Sequence, residues 1–305
     1  MKREKSETAN VFNVVHGSFV DGWGIRTTIF LKGCPLRCVW CCNPESQLMV
    51  PELQFIAEHC DGCGRCVDKC PKGAISQVCP GELVTVDRSL CDGCGACVKA
   101  CWPGAFNIWG TPRTAEDVFE ECLKDEHFYR ESGGGVTLSG GEATLWPRFC
   151  LEMIERCHER DIHVALDTCG YITTDEGMEV FKQADTLLFD VKGLNPETHM
   201  ANTGKSNDVI LKNLSLAEEM GKDVIIRYPI IPNHNMDEAE DIADMLCKLE
   251  CVHRVDLIAF HKFGGGKYDQ LGRTYEIDED TIPKGKQDEI LKLFESRGLK
   301  TQLGG

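Results

Sequence analysis

Apolar positions along the chain switch repeatedly between a period near two and a period near 3.6. The run 25–31 (IRTTIFL) is β-branched and apolar, and it reads as a first strand. Thr114, with Asp117 three positions on, opens a helix in the manner of a capping box. Ala115, Val118, Phe119, Cys122 and Leu123 then follow at helical spacing. Residues 136–138 read as a short strand. Trp146, Phe149, Cys150, Met153, Ile154 and Cys157 make the next helical stripe. Further strands are predicted at 163–166, 187–191, 224–231 and 255–260, with a helix capped by Thr173 and another carried by Ala239, Ile242, Ala243, Leu246 and Cys247. Such alternation predicts an α/β fold with parallel strands and helices outside them. About six βα units fit, fewer than the eight of a closed barrel.

Composition narrows the class. The 305 residues carry 33 Lys+Arg against 49 Asp+Glu, a net charge of −16. That length supports a full core, and a hydrophobic fraction of 42% argues against global disorder. No apolar run reaches 18 residues, so no membrane span is expected. The first ten residues lack the apolar stretch of a signal peptide, so a cytoplasmic location is expected. The acidity weighs against a nucleic-acid substrate, whose affinity comes largely from neutralised phosphates. Nineteen cysteines are the anomaly. Without an export signal they should be mostly reduced, and an odd number does not suit a closed disulfide framework. Metal or cluster ligation is therefore the first hypothesis.

Spacing sorts these thiols. Cys60, Cys63, Cys66 and Cys70 follow C-x2-C-x2-C-x3-C, and Cys91, Cys94, Cys97 and Cys101 repeat the pattern, fillers included (CDGCGRC, CDGCGAC). This is an internal duplication. A tight loop of this spacing wraps three thiolates around one iron–sulfur cube, while the fourth cysteine ligates the other cube. One [4Fe–4S] cluster is thus assigned to Cys60, Cys63, Cys66 and Cys101, and a second to Cys91, Cys94, Cys97 and Cys70. Pro71 follows Cys70 directly, whereas Trp102 intervenes before Pro103. The alternative is a pair of zinc knuckles, which close with two separated pairs and need no third cysteine two residues on. The stretch resembles a bacterial two-cluster ferredoxin. It divides the chain into an insert, 51–110, and a discontinuous remainder, 1–50 with 111–305.

The first group differs. Cys34, Cys38 and Cys41 form C-x3-C-x2-C straight after the first strand. Three thiolates hold three corners of a cube and leave the fourth iron open, which suits chemistry as an open position suits catalytic zinc. The alternative is a structural site completed by Cys42 or a distant His, although Cys42 is badly placed to wrap onto the same cube. With Trp40 at the aromatic place, the motif resembles that of the radical S-adenosylmethionine (SAM) superfamily. The segments VDGWGIRTTIFLKGCPLRCVWCCNPES, GGGVTLSGGEA, LDTCG, FDVKG, VIIRYPIIP and AFHKFGGGKYDQLGR resemble, in order, those of the activating enzymes of glycyl radical enzymes. The resemblance covers essentially the whole chain. The insert places it with the longer subgroup, which activates lyases, dehydratases and decarboxylases other than pyruvate formate-lyase.

The resemblance implies a partial (β/α)6 barrel, three [4Fe–4S] clusters and SAM. Reductive cleavage of SAM to a 5′-deoxyadenosyl radical, and removal of hydrogen from a glycine Cα of a partner glycyl radical enzyme, would follow. A flavodoxin- or ferredoxin-type electron donor and a monomeric state are also implied. Gly140, Gly141 and Glu142 match the motif that holds the methionine amine, with Ala143 next. Asp190 and Lys192 share a face because side chains alternate; Lys192 would meet the cofactor carboxylate and Asp190 a ribose hydroxyl or a cation. Asp167, Thr168, the Leu188 carbonyl and Asp190 correspond to a monovalent cation site, with oxygen ligands suited to a hard ion. Arg227, within an apolar strand, must pair either with a carboxylate ligand or in an internal salt bridge. His261 matches a histidine near the cofactor. Asp21 and Gly22 match a loop that faces the partner, although Trp23 replaces its usual proline.

Cys122, Cys150, Cys157 and Cys247 lie on apolar stripes and read as core. Cys42, Cys79, Cys169 and Cys251 have no assigned role. The acidic stretch 276–280 reads as solvated surface. Two other functions compete: a radical SAM enzyme acting on a small molecule or RNA, which lacks a need for the DGWGIR segment, and an iron–sulfur electron-transfer protein, which needs no open iron.

Overall fold

The computed structural model describes residues 6–304. Residues 1–5, half of the stretch read as lacking a leader, lie outside them. Thirteen strands are present: β1 (Thr8–Ser18), β2 (Arg26–Leu31), β3 (Glu52–Phe55), β4 (Ile75–Ser76), β5 (Thr85–Val86), β6 (Phe106–Trp109), β7 (Thr111–Thr114), β8 (Gly135–Gly140), β9 (His163–Thr168), β10 (Thr186–Asp190), β11 (Asp223–Ile230), β12 (Val252–Ala259) and β13 (Thr301–Leu303). Eleven helices run α1 (Arg65–Lys69), α2 (Ala96–Ala100), α3 (Ala115–Cys122), α4 (Glu126–Ser132), α5 (Pro147–His158), α6 (Asp175–Gln183), α7 (Pro196–Thr203), α8 (Asp208–Glu219), α9 (Ala239–Leu246), α10 (Gly265–Gln270) and α11 (Lys284–Ser296).

Nine strands form one sheet in the order β13-β12-β11-β10-β9-β8-β2-β1-β7. From β2 to β13 every pairing is parallel, and β1 is antiparallel to both β2 and β7. The two edge strands do not pair with each other, so the sheet is open. Six of its seven parallel strands, β2, β8, β9, β10, β11 and β12, agree with the expected six units, and the seventh, β13, is a three-residue edge strand. They are near-continuous apolar runs, as strands covered on both faces must be: in β10, Thr186, Leu187, Leu188 and Phe189 are all buried. The outer helices bury one stripe each against them. Helix α5 buries Phe149, Cys150, Met153, Ile154, Arg156 and Cys157. Thr114 caps α3 by accepting from the Asp117 amide, as its spacing implied.

Residues 52–109 stand apart from this sheet. β3 pairs with β6 and β4 with β5, and the duplicated cysteine runs each end in a five-residue helix, α1 or α2. The residues before those helices, Gly64 and Gly95, both sit in the left-handed region. Leu53, Ile75, Val84 and Phe106 form an apolar cluster of their own with the insert's cysteines around it.

Some expectations are corrected. The cap of α6 is Thr174, which accepts from the Gly177 amide, and not Thr173. Cys247 is exposed, because α9 ends at Leu246 and the chain turns away from the core there. Strand β1 and helices α7, α8 and α11 were not anticipated. In β1 only Ala9, Val11 and Ser18 are buried, and α11 buries only Ile290 and Phe294. Patterns that sparse fall below the periodic signal.

Candidate active site at the cysteine loop

The first cysteine group leaves the C-terminal end of β2, the end at which sites of parallel α/β folds gather. Backbone bonds fix its course. The Gly33 amide donates to the Ser46 carbonyl at 2.6 Å and the Cys34 amide to Gln47 at 3.1 Å. The Arg37 and Val39 amides reach the Thr203 and Asn202 carbonyls at the end of α7. Cys34, Cys38 and Cys41 are brought together, each within electrostatic reach of the others. Burial pushes the Cys38 thiol up to about 12 and Cys41 in the same direction, so both keep their protons until a metal displaces them. Cys34 is instead lowered, chiefly by a hydrogen bond from the Cys169 thiol. Cys42 lies within electrostatic reach of Cys41, and burial pushes its thiol up, opposed by Lys267.

The end of β8 lies directly alongside. The Gly141 amide donates to the Leu31 carbonyl, and the Glu142 amide to Gly33. A Cβ on Gly141 would stand 2.1 Å from the Gly33 carbonyl oxygen, so only glycine permits this approach. The Glu142 carboxylate is fully buried and already satisfied. It accepts from the Thr144 amide and hydroxyl, the Thr168 hydroxyl and the Cys169 amide, all between 2.8 and 3.2 Å. This side chain braces the β8 and β9 loops. Trp40 is buried, edge-on to His234 at 5.7 Å between centroids.

Charged groups line the inside of the sheet. Lys192 Nζ lies 2.5 Å from Asp190 Oδ2. Burial pushes the ammonium down, but Asp190 and Cys38 outweigh it and hold the group up. The predicted shared face is thus a contact, and it points at the cysteine loop. Arg227 Nη1 stands 3.1 Å from Asp167 Oδ2 and 3.8 Å from Asp21 Oδ1. Ser139 also donates to Asp167, at 2.6 Å. Burial, opposed by Arg227 and reinforced by Asp190, pushes Asp167 up to about 6. Asp21 lies in the loop ahead of β2, and its buried carboxylate accepts from Ser18 and Thr28. On the same loop Phe19, Val20 and Trp23 are exposed. Trp23 donates to Asp223 and lies under Arg254 at 4.5 Å.

Two buried polar atoms among these residues have no partner: Arg227 Nε and His261 Nδ1. An orphaned buried donor is rare unless something else meets it. A carboxylate- and hydroxyl-bearing ligand would satisfy them, and three convergent thiols beside a buried ammonium are the donor set for a cluster with a carboxylate ligand. The residues present therefore fit SAM and a [4Fe–4S] cluster.

The profile of the Radical SAM superfamily matches residues 28–246. The chain is 42% identical over 302 residues to the trans-4-hydroxy-L-proline dehydratase activating enzyme of Clostridioides difficile, covering 97% of this chain and 99% of that one. The chain belongs to the radical SAM superfamily. Within it, this radical SAM protein groups with the activating enzymes of glycyl radical enzymes, which act through SAM and a [4Fe–4S] cluster on a partner's glycine. The benzylsuccinate synthase activating enzyme of Thauera aromatica is 40% identical over 299 residues, with 94% of this chain and 90% of that one covered. The crystal structure of Streptococcus suis SuiB bound to S-adenosylmethionine shares the fold at 14% identity and a TM-score of 0.51, covering 63% of this chain and 44% of that one. No helix among the described residues is long and apolar enough to cross a membrane.

The second and third cysteine groups each draw in a cysteine from the other run. Cys66 is surrounded by Cys101, Cys60 and Cys63. Cys70, Cys91, Cys94 and Cys97 line one hollow with Leu53 and Ile75. Among the described residues no three His, Cys, Asp or Glu groups converge tightly enough for a single ion. A cube spaces its ligands more widely. Reasoning from sequence missed Cys169 against Cys34, and the Asp21–Arg227 approach. Nothing local marks either, because the partners are far apart along the chain.

Proposed function

We propose that this chain activates a partner glycyl radical enzyme with three [4Fe–4S] clusters, two of them in a ferredoxin-like insert spanning 51–110 and the third in a partial (β/α)6 barrel formed by 1–50 and 111–305. The observation that carries the reading is the convergence of Cys34, Cys38 and Cys41 beside Lys192. When bound, the cluster supplies an electron and SAM the 5′-deoxyadenosyl group that takes hydrogen from a partner glycine. The chain's own residues do the rest. Cys34, Cys38 and Cys41 hold three corners and leave one iron free. Lys192, just past β10, offers an ammonium beside that corner, and it orients a carboxylate there while Asp190 keeps it charged. Gly141 lets the β8 turn approach the cysteine loop, and Glu142 locks that turn to Thr168 and Cys169. Arg227 holds Asp167 and Asp21 inside the barrel, and with His261 it presents an unused donor. Trp40 closes the side of the site toward His234. A protein glycine suits the reaction because a loop without side chains can enter a narrow mouth. The partner is a lyase-, dehydratase- or decarboxylase-type enzyme, in keeping with the names of the relatives.

The test is anaerobic. The chain is reconstituted, reduced and mixed with SAM and candidate partner enzymes, and electron paramagnetic resonance (EPR) is recorded. A glycine-centred doublet in one partner is expected, lost when Cys34, Cys38 or Cys41 is replaced by Ala. Cleavage of SAM with no such signal in any protein partner would favour action on a small molecule.

A further inference from the structure

The two cysteine quartets of the insert are not equivalent in place. The chain runs from Cys34 through Gln47, whose carbonyl accepts from the Cys34 amide, into β3. Arg273, from the segment after β12, donates to the Pro44 carbonyl at 2.7 Å and to Gln47 at 3.3 Å, and pairs with Glu52. Glu52 also takes the buried Lys32 ammonium at 2.8 Å. Beside Arg273, the Gln270 carbonyl accepts from Arg88 at 2.9 Å, and Arg88 donates as well to the Leu53 carbonyl. Gln54 and Gln270 are bonded at 2.6 Å. Arg88 stands three residues before Cys91. A Cβ on Gly93 would lie 2.6 Å from the Pro51 carbonyl, so the loop carrying Cys91 and Cys94 is pressed onto the junction with the barrel. Cys91 and Gly93 share a groove with Leu271, Gly272 and Arg273.

Among the described residues the other quartet has no such contact with the barrel. The Gly62 and Gly64 loop is wrapped by Gln77 and Gly81 of the insert itself. Cys63 is exposed, as is Cys94, but beside Cys63 the Arg65 Nε lies 3.2 Å from the sulfur and the Arg65 guanidinium covers the ring of Trp102, which is 83% exposed.

We infer that the insert is polarised, with Cys70, Cys91, Cys94 and Cys97 as its inner, electron-delivering quartet and Cys60, Cys63, Cys66 and Cys101 as its outer, electron-receiving one, and that Arg88 holds the inner quartet against the barrel. The inference rests on the three-cluster reading above. With clusters bound, Cys60, Cys63, Cys66 and Cys101 would hold the group that accepts one electron from a reduced one-electron carrier protein, which is oxidised, and Cys70, Cys91, Cys94 and Cys97 the group that would pass it on toward Cys34, Cys38 and Cys41; no bond would form or break and no proton would move.

Spin coupling tests the order without turnover. The full chain is reconstituted and reduced, and the EPR signal of the barrel site is recorded in the wild type, in Cys94→Ala and in Cys63→Ala. Splitting or relaxation enhancement of that signal by a neighbouring spin is expected in the wild type, retained in Cys63→Ala and lost in Cys94→Ala. The reverse pattern at full iron content overturns the polarity alone. Arg88→Met leaves every cysteine in place and covers the case in which a cysteine variant misfolds: the coupling should weaken at unchanged iron content, and an unchanged coupling overturns the role of Arg88. Wild-type iron near about four per chain, and not about twelve, would overturn the three-cluster reading itself.

Discussion

Lys192 is the residue on which cofactor orientation most depends. It is half-buried, charged and within electrostatic reach of the Cys38 thiol, and among the described residues its ammonium pairs with Asp190. A charge-assisted hydrogen bond contributes roughly 1.5–3 kcal/mol, so Lys192→Met should weaken SAM binding by about 10- to 100-fold in equilibrium measurements on the reconstituted chain. Unchanged affinity would remove Lys192 from the site. Asp167 gives a pH signature. Its carboxyl, pushed up by burial to about 6, binds its proton more tightly in the folded chain than in the unfolded one. A raised value stabilises below the unfolded pKa, near 4, and that contribution is lost as pH climbs through 6. Stability of the cluster-free chain should therefore fall across that window, and Asp167→Asn should flatten the fall in thermal melts. A slope that survives the substitution would assign it to other groups.

Elements place these residues, and the β2–β8 junction is the most constrained. Gly141→Ala forces a methyl into the Gly33 carbonyl, where backbone must move. Overpacking of this kind costs about 1–3 kcal/mol. Melting should drop by several degrees and the barrel site should take up less iron, whereas Gly266→Ala in α10, with open space around it, should do neither. Equal behaviour of the two variants would mean that the junction yields freely. Much at this scale was legible. The parallel strands announced themselves because both faces are buried, leaving unbroken apolar runs. Strand β1 did not, since most of its side chains face solvent or the polar edge with β7. Cys247 was misread because a helical stripe was carried one residue past the end of α9.

For the whole molecule, legibility followed contact distance. Each cysteine group could be recognised because its geometry is local: three thiols within eight residues meet wherever the chain goes. The ties that set the insert against the barrel could not. Arg88 and Gln270 are 182 residues apart, and Arg273 reaches Glu52 across 221. Ordinary charged residues make those bonds, and no pattern along the chain singles them out. The same holds for Cys169, which spacing leaves without a role and the fold presses against Cys34. Net charge says little about any of this, because the groups that matter are buried pairs and not surface sum.

The central claim is that one iron of the barrel cluster stays free for SAM. It is tested most directly by electron–nuclear double resonance on the reduced chain given SAM labelled with nitrogen-15 at its amine. Hyperfine coupling of that nitrogen to the barrel cluster is the result predicted. A spectrum that SAM leaves unaltered, in a chain that carries the cluster, would contradict it.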